Sequence, residues 1–145
     1  MKVEFHSGVA DKLAATCRLL RKAQAAGATV VVCGERAVLD RLDVALWTFE
    51  PQSFVAHARL KAGATVAPQW VRTPTWLVDD AAVAPSREVL LNLGPNMVDG
   101  WEDFSRVIEI VSAEPDDVDA GRQRWRRYGE RPGVERVHHV RAAGS

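Results

Sequence analysis

The stretch TVVVC, residues 29–33, decides the fold class of this chain. It is a continuous run of mostly β-branched residues, which is typical of a strand buried on both faces of a parallel sheet. Before it, the alternating residues 2–6 predict a first strand, and helical spacing predicts a helix over residues 9–26 that Gly27 ends. The residues at helical spacing are Val9, Leu13, Cys17 and Leu20.

A second amphipathic helix follows this strand and ends near Trp47, because the Glu50-Pro51 step disfavours helical geometry. Its apolar stripe is Val38, Leu39, Leu42, Ala45 and Leu46. Strand, helix, strand and helix in this order form a βαβ pattern. We therefore predict a three-layer α/β fold, with a mostly parallel sheet and helices on both faces, in a Rossmann-like arrangement.

The later elements are predicted from shorter patterns. They are two short edge strands at residues 65–70 and 75–78, a buried strand at 88–93, a last strand at 106–111, and a helix over 115–128 that Gly129 caps. We expect residues 1–133 to form a single α/β domain and residues 134–145 to form a partly mobile tail.

Composition limits the classes of function. Of the 145 residues, 47% are hydrophobic and 26% are charged, and no apolar run has the length of a membrane span, so we expect a soluble cytoplasmic protein without membrane contact. The net charge of +0 argues against a protein that binds duplex DNA through a broad basic face. Cys17 and Cys33 are expected to be packed free thiols.

Neither a nucleotide loop nor a catalytic constellation is visible. The strands at residues 2–6 and 29–33 are followed by Gly8 and Gly34 alone, and Glu35 would repel a phosphate. His138 and His139 have no further ligand at metal-binding spacing, and there is no G-x-S-x-G elbow. We expect no cofactor, metal or catalytic residue, although a small α/β nucleotide-binding or hydrolytic enzyme remains the alternative hypothesis.

Aromatic residues are concentrated after the second helix. Trp47, Phe49 and Phe54 lie within eight positions, and His57 follows three positions later. The rings could fold back and close one end of the core, or they could form a surface that binds a partner protein.

The last helix has a second cluster. Val118, Arg122, Trp125 and Arg126 are spaced so that they share one helix face, where they could form an apolar pocket with guanidinium groups at its rim. In the alternative interpretation, Trp125 packs inward beneath a solvated arginine face.

Two motifs resemble those of the chi subunit of the bacterial DNA polymerase III holoenzyme. The first reads R-L-D-x-A-L-W over residues 41–47, followed by S-F-V-x-H over residues 53–57. The second is the R-x-R-aromatic-basic-x-Tyr pattern of residues 122–128, where Trp125 occupies the position of the usual tyrosine. The resemblance covers most of the chain.

This resemblance implies a non-catalytic adaptor. In this family the protein links the psi subunit of the clamp loader to the acidic C-terminal tail of single-stranded DNA-binding protein, and it contacts DNA only indirectly. The implied tail-binding residues are Val111, Val118, Arg122, Trp125, Arg126 and Gly133. The implied psi-binding residues are Trp47, Phe49, Phe54 and His57.

Overall fold

The structure is a computed structural model that describes residues 1–48, 55–60 and 73–141. Within these residues, seven strands and three helices form a three-layer α/β fold. The strands are β1 (Lys2–Val9), β2 (Val30–Cys33), β3 (His57–Leu60), β4 (Thr75–Val78), β5 (Val89–Asn92), β6 (Arg106–Ser112) and β7 (Glu135–Val140). The helices are α1 (Lys12–Ala25), α2 (Arg36–Thr48) and α3 (Pro115–Gly129).

The sheet is parallel throughout, with the strand order β3-β4-β2-β5-β6-β1-β7. Helices α1 and α2 pack on one face of the sheet, and α3 packs on the other. Two short 3-10 helices, Ala81–Val83 and Trp101–Asp103, lie on the same face as α3. Each face has its own apolar core. None of the helices in the described ranges is both long enough and apolar enough to span a membrane.

The three-layer arrangement and its parallel sheet are therefore confirmed, as are β2, β5 and the approximate bounds of α2 and α3. All four residues of β2 are buried, as are all four of β5. Continuous apolar runs predict such strands because both faces of the strand contact helices.

The start of α1 was predicted wrongly. Val9 belongs to β1 and is buried, and the helix begins only after Asp11, whose side chain accepts a hydrogen bond from Ala14 N at 3.1 Å. The strand continues through Gly8, which has φ +68°, and its pairing with β6 shifts register between His6 and Val9. A strand with such an irregularity lacks the regular alternation of apolar and polar residues by which a strand is recognised in a sequence.

Strand β4 was predicted as an edge strand, and this was also wrong. It pairs with β2 on one side and β3 on the other, and all four of its residues are buried. On this side of the sheet the outermost described strand is β3, which the sequence did not predict. The other predicted edge strand, residues 65–70, lies outside the described residues.

Strand β6 is not the last strand along the chain. Strand β7 follows α3 and pairs in parallel with β1, in the segment that we had expected to be a tail. Five of its six residues are exposed, so its sequence has no apolar pattern. Gly129 is the last residue of α3 rather than its cap, which is Glu130.

Candidate functional site

A buried polar network attaches α3 to the sheet. Glu109 on β6 is fully buried and accepts hydrogen bonds from Arg124 Nε at 3.0 Å, Tyr128 Oη at 2.7 Å and Asn92 Nδ2 at 3.1 Å. Arg124 also donates to the Pro95 carbonyl at 2.7 Å. Burial raises the pKa of Glu109 above its ordinary value, although the Arg124 charge opposes that shift. The network fixes which face of α3 points towards the sheet.

A glycine brings the same helix close to β6. A Cβ atom added at Gly121 would lie 2.9 Å and 3.2 Å from the two methyl groups of Val111. Real Cβ atoms do not approach so closely, so only glycine permits this separation of helix and strand. This close contact leaves Val118 and Trp125 on either side of Gly121, where they bound a cavity.

That cavity, the α3 pocket, has a volume of about 390 Å³. It is lined by Phe5, Ser7, Gly8, Val111, Ser112, Ala113, Val118, Gly121, Arg122, Trp125, His138 and Val140. Most of the exposed lining is apolar, and β1, β6, α3 and β7 each contribute residues to it. The pocket lies at the carboxyl edge of the sheet, where β1, β6 and β7 end.

Trp125 is held by three neighbours. Its ring makes an edge contact with Phe5 at 5.2 Å between centroids, and the His138 ring lies at 5.8 Å. The Arg136 guanidinium lies 4.6 Å from the ring centroid and donates to the Trp125 carbonyl oxygen at 3.1 Å. Trp125 is half-buried, so its ring packs inward and also forms one wall of the pocket.

Arg122 lies at the rim of this pocket and is exposed to solvent. Among the described residues, no carboxylate forms an ion pair with it. The structure brings together Val118, Arg122 and Trp125, which helical spacing placed on one face, and Val111, which the family resemblance added. Arg126 and Gly133 are exposed and do not line the pocket.

A second candidate surface lies at the end of α2. Trp47 and Val44 are each 63% exposed, although large apolar side chains are usually covered. They are three positions apart on the helix and therefore neighbours on its surface. Phe49 and Phe54 lie outside the described residues.

His57 supports this surface from beneath. Its side chain is buried, with Nε2 at 2.6 Å from Asp43 Oδ1 and Nδ1 at 2.7 Å from the Val55 carbonyl oxygen. The Trp47 ring makes an edge contact with the imidazole at 5.6 Å. The histidine thus connects β3 to the last turns of α2 and supports the exposed indole.

Comparison with known proteins identifies the family. The profile of the family described as DNA polymerase III chi subunit, HolC, matches residues 1–134. The chain belongs to the DNA polymerase III chi subunit family. A similar protein is the DNA polymerase III subunit chi of Pseudomonas aeruginosa, which is 31% identical over 120 residues, covering 82% of this chain and 80% of the relative.

In this member of the chi family, the crevice where α/β folds often bind nucleotides is lined mainly by acidic charges, which do not suit a phosphate group. It has a volume of about 610 Å³ and lies at the carboxyl ends of β2, β4 and β5. Glu35, Asp79, Asp80 and Asp99 line it, and Arg36, the only basic residue among the described residues of the lining, forms an ion pair with Asp79 at 2.9 Å. These carboxylates would repel a phosphate group, so no observation favours the nucleotide-binding alternative.

The cysteines are similarly unsuited to nucleophilic chemistry. Cys17 and Cys33 are buried and form no disulfide. Burial raises the pKa of each thiol to about 11, so the reactive thiolate is scarce at neutral pH.

One cluster at the sheet edge has side chains that can bind metals. Ligand atoms of Glu4, His6 and His139 all lie within 4.8 Å of one another. Arg106 Nη2 is 2.6 Å from Glu4, and Arg141 Nη2 donates to His6 Nδ1 at 3.1 Å. Burial lowers the pKa of His6 to about 4, so the ring is neutral, and its remaining nitrogen then bears the proton. The two guanidinium groups make this cluster a poor site for a divalent cation.

Sequence reasoning missed several residues that line the α3 pocket or hold its walls in place. These are Glu109, Gly121, Arg136, His138 and Val140. Only Glu109 gave a signal, because a carboxylate in the middle of the apolar run RVIEIV must be paired if the strand is buried. The contribution of β7 to the pocket depends on strand pairing, which local sequence does not reveal.

Proposed function

We propose that this chi-family chain is a non-catalytic replisome adaptor. Its α3 pocket binds the acidic C-terminal tail of single-stranded DNA-binding protein, which in this family ends in Pro-Phe. Its exposed surface at the end of α2 binds the psi subunit of the clamp loader. The proposal rests mainly on one observation, an apolar pocket with the exposed guanidinium group of Arg122 at its rim, where no carboxylate of the described residues pairs with it.

The chemistry of the pocket suits a terminal aromatic residue. A phenylalanine ring that enters it would contact Phe5, Val118 and Trp125, and full burial of such a side chain contributes about 1.5 to 3 kcal/mol. The terminal carboxylate would then lie near Arg122, which offers charge-assisted hydrogen bonds. The interaction with Arg122 requires a free terminal carboxylate, so an internal Pro-Phe sequence, which offers only the ring, would bind more weakly.

The test is a binding titration with a fluorescent acidic peptide that ends in Pro-Phe. Arg122→Ala should weaken binding by about 1.5 to 3 kcal/mol, because it removes hydrogen bonds to a partly desolvated carboxylate. Arg127→Ala removes the same charge from the same helix, lies outside the pocket and is not among the implied tail-binding residues, so it is the matched control and should have a smaller effect.

Two further peptides complete this titration. Deleting the terminal phenylalanine of the peptide should reduce the binding free energy by about as much as Arg122→Ala does, because the burial of the ring is lost. A scrambled peptide of equal charge should bind weakly. Equal binding of the true and scrambled tails would indicate simple attraction to basic residues and would contradict the pocket.

Binding to psi is tested on the α2 surface. Trp47→Ala should cost about 2 kcal/mol of psi binding, since exposed tryptophans at interfaces are frequent hot spots. Arg41→Ala on the same helix is the control and should change psi affinity much less. Unchanged affinity of the Trp47 variant would remove this surface from the proposal.

A further inference from the structure

A second concave surface, the basic groove, lies between α1 and the end of β7 and has a volume of about 500 Å³. Its lining residues are Ala15, Arg18, Leu19, Arg21, Lys22, Ala25 and Arg141. Four of these seven residues are cationic, and none of the described residues in the lining is a carboxylate. The floor is formed by small or aliphatic side chains of α1.

Two cations of the basic groove, Arg18 and Lys22, have no acidic partner among the described residues. Both side chains are exposed to solvent. They are four positions apart on α1, where like charges repel each other. Arg141 contacts His6, which is neutral because burial lowers its pKa. An anionic partner would relieve this repulsion.

The groove adjoins the α3 pocket through two consecutive residues. Val140 lines the pocket and Arg141 lines the groove. Residue 141 continues the strand geometry, because its N–H donates to the Ser7 carbonyl oxygen at 2.9 Å. Neighbouring residues of a strand point to opposite faces, so the pocket and the groove lie on opposite faces of the same sheet edge.

We propose that the basic groove binds the acidic residues that precede the C terminus held in the α3 pocket. This inference rests on the function proposed for that pocket. An extended peptide covers about 3.3 Å per residue, so roughly five to eight residues upstream of the pocket reach about 17 to 26 Å. A peptide anchored in the pocket would thereby place its upstream carboxylates beside Arg141, Arg18 and Lys22.

The lining favours an acidic peptide over single-stranded DNA. Non-specific binding of single strands usually combines a basic groove with aromatic rings on which the bases stack. In the part of the chain that the structure describes, the residues that line the basic groove include no aromatic ring. Its floor of Ala15, Leu19 and Ala25 instead suits the backbone and short side chains of an extended peptide.

The experiment compares three peptides with the same Pro-Phe end on the full chain. One has about five residues, one has about twelve with several upstream aspartates, and the third replaces those aspartates by asparagine. The acidic long peptide should bind about 5- to 10-fold more tightly than the other two, because surface ion pairs add small increments. In the double variant Arg18→Glu/Lys22→Glu, this advantage should disappear, while the short peptide stays within about twofold of its wild-type affinity.

Controls separate the possible failures. Arg41→Glu changes the charge of an exposed helical residue outside the groove and should leave the advantage of the acidic peptide intact. If the short peptide fails to bind, or ignores Arg122→Ala, the function proposed for the pocket is wrong. If it depends on Arg122 but the two long peptides bind equally, the groove proposal alone is wrong.

An oligothymidine titration tests the other class of partner. The double variant should change its binding by less than about twofold, in contrast to the acidic peptide. A larger loss for the oligonucleotide than for the acidic peptide would assign the groove to nucleic acid and would overturn the proposal. Circular dichroism and thermal unfolding check that the variants remain folded, and the asparagine peptide tests the charge effect without altering the protein.

Discussion

Replacing Arg124 by methionine tests whether the buried network determines the position of α3. The substitution keeps an apolar stem of similar length but removes the ion pair to Glu109 and the hydrogen bond to the Pro95 carbonyl. Glu109 would remain fully buried with only two donors, Tyr128 and Asn92. A carboxylate left without its cationic partner in such a site is strongly destabilising.

The magnitude follows from these contacts. Breaking a buried ion pair by removing one partner costs about 3 to 5 kcal/mol. The two remaining hydrogen bonds, and the ability of Glu109 to take up a proton, favour the lower end of this range. We therefore expect Arg124→Met to lower the free energy of unfolding by about 3 kcal/mol at pH 7. The exposed control Arg126→Met should change it by less than about 0.5 kcal/mol.

The loss of stability caused by Arg124→Met should depend on pH. The pKa of Glu109 is raised in the folded state, so its contribution to stability is greatest at low pH and is lost as pH rises through the folded pKa. Removing Arg124 raises that pKa further. The difference in stability between wild type and variant should therefore shrink when the pH is lowered from 7 to 5.

Urea denaturation at both pH values, with wild type, Arg124→Met, Glu109→Gln and the double variant, measures these effects. The double variant should be more stable than Arg124→Met by at least about 1 kcal/mol, because it no longer has an unpaired buried charge. A loss below about 1 kcal/mol for Arg124→Met, or simple additivity in the double variant, would refute this account of how α3 is fixed.

Three further outcomes are expected. Gly121→Ala should lower the free energy of unfolding by about 1 kcal/mol in urea titrations, because overpacking outweighs the gain in helix propensity, and it should weaken peptide binding; a more stable variant would contradict this. Trp47→Ala should leave the thermal midpoint nearly unchanged, whereas His57→Ala should lower it clearly, because the His57 side chain is buried and hydrogen-bonded and the Trp47 side chain is largely exposed; equal shifts would show that Trp47 is also structural. Cys17 and Cys33 should react with a maleimide at pH 8 only after denaturation, and rapid labelling of the native protein would contradict their burial and raised pKa values.

The sequence by itself determined the elements whose residues face the core. TVVVC predicted β2, the apolar stripe predicted α2, and residues 115–128 predicted α3 nearly to its ends. In each case burial imposes a period of two or of 3.6, or a continuous apolar run, and that pattern can be read locally. Helical spacing also placed Val118, Arg122 and Trp125 on one face, the family resemblance added Val111, and the structure brings these four residues into one pocket.

The tertiary structure alone decided the edges of the sheet and the completion of the site. Strands β3 and β7 contain no buried apolar residue, so no apolar pattern marks them in the sequence. Their pairing with β4 and β1 depends on partners that are distant in sequence. The pocket needs β7 for His138 and Val140, and it needs Gly121 to bring α3 close to Val111. Such contacts depend on how elements are arranged in space, and the spacing of residues along the chain does not determine that arrangement.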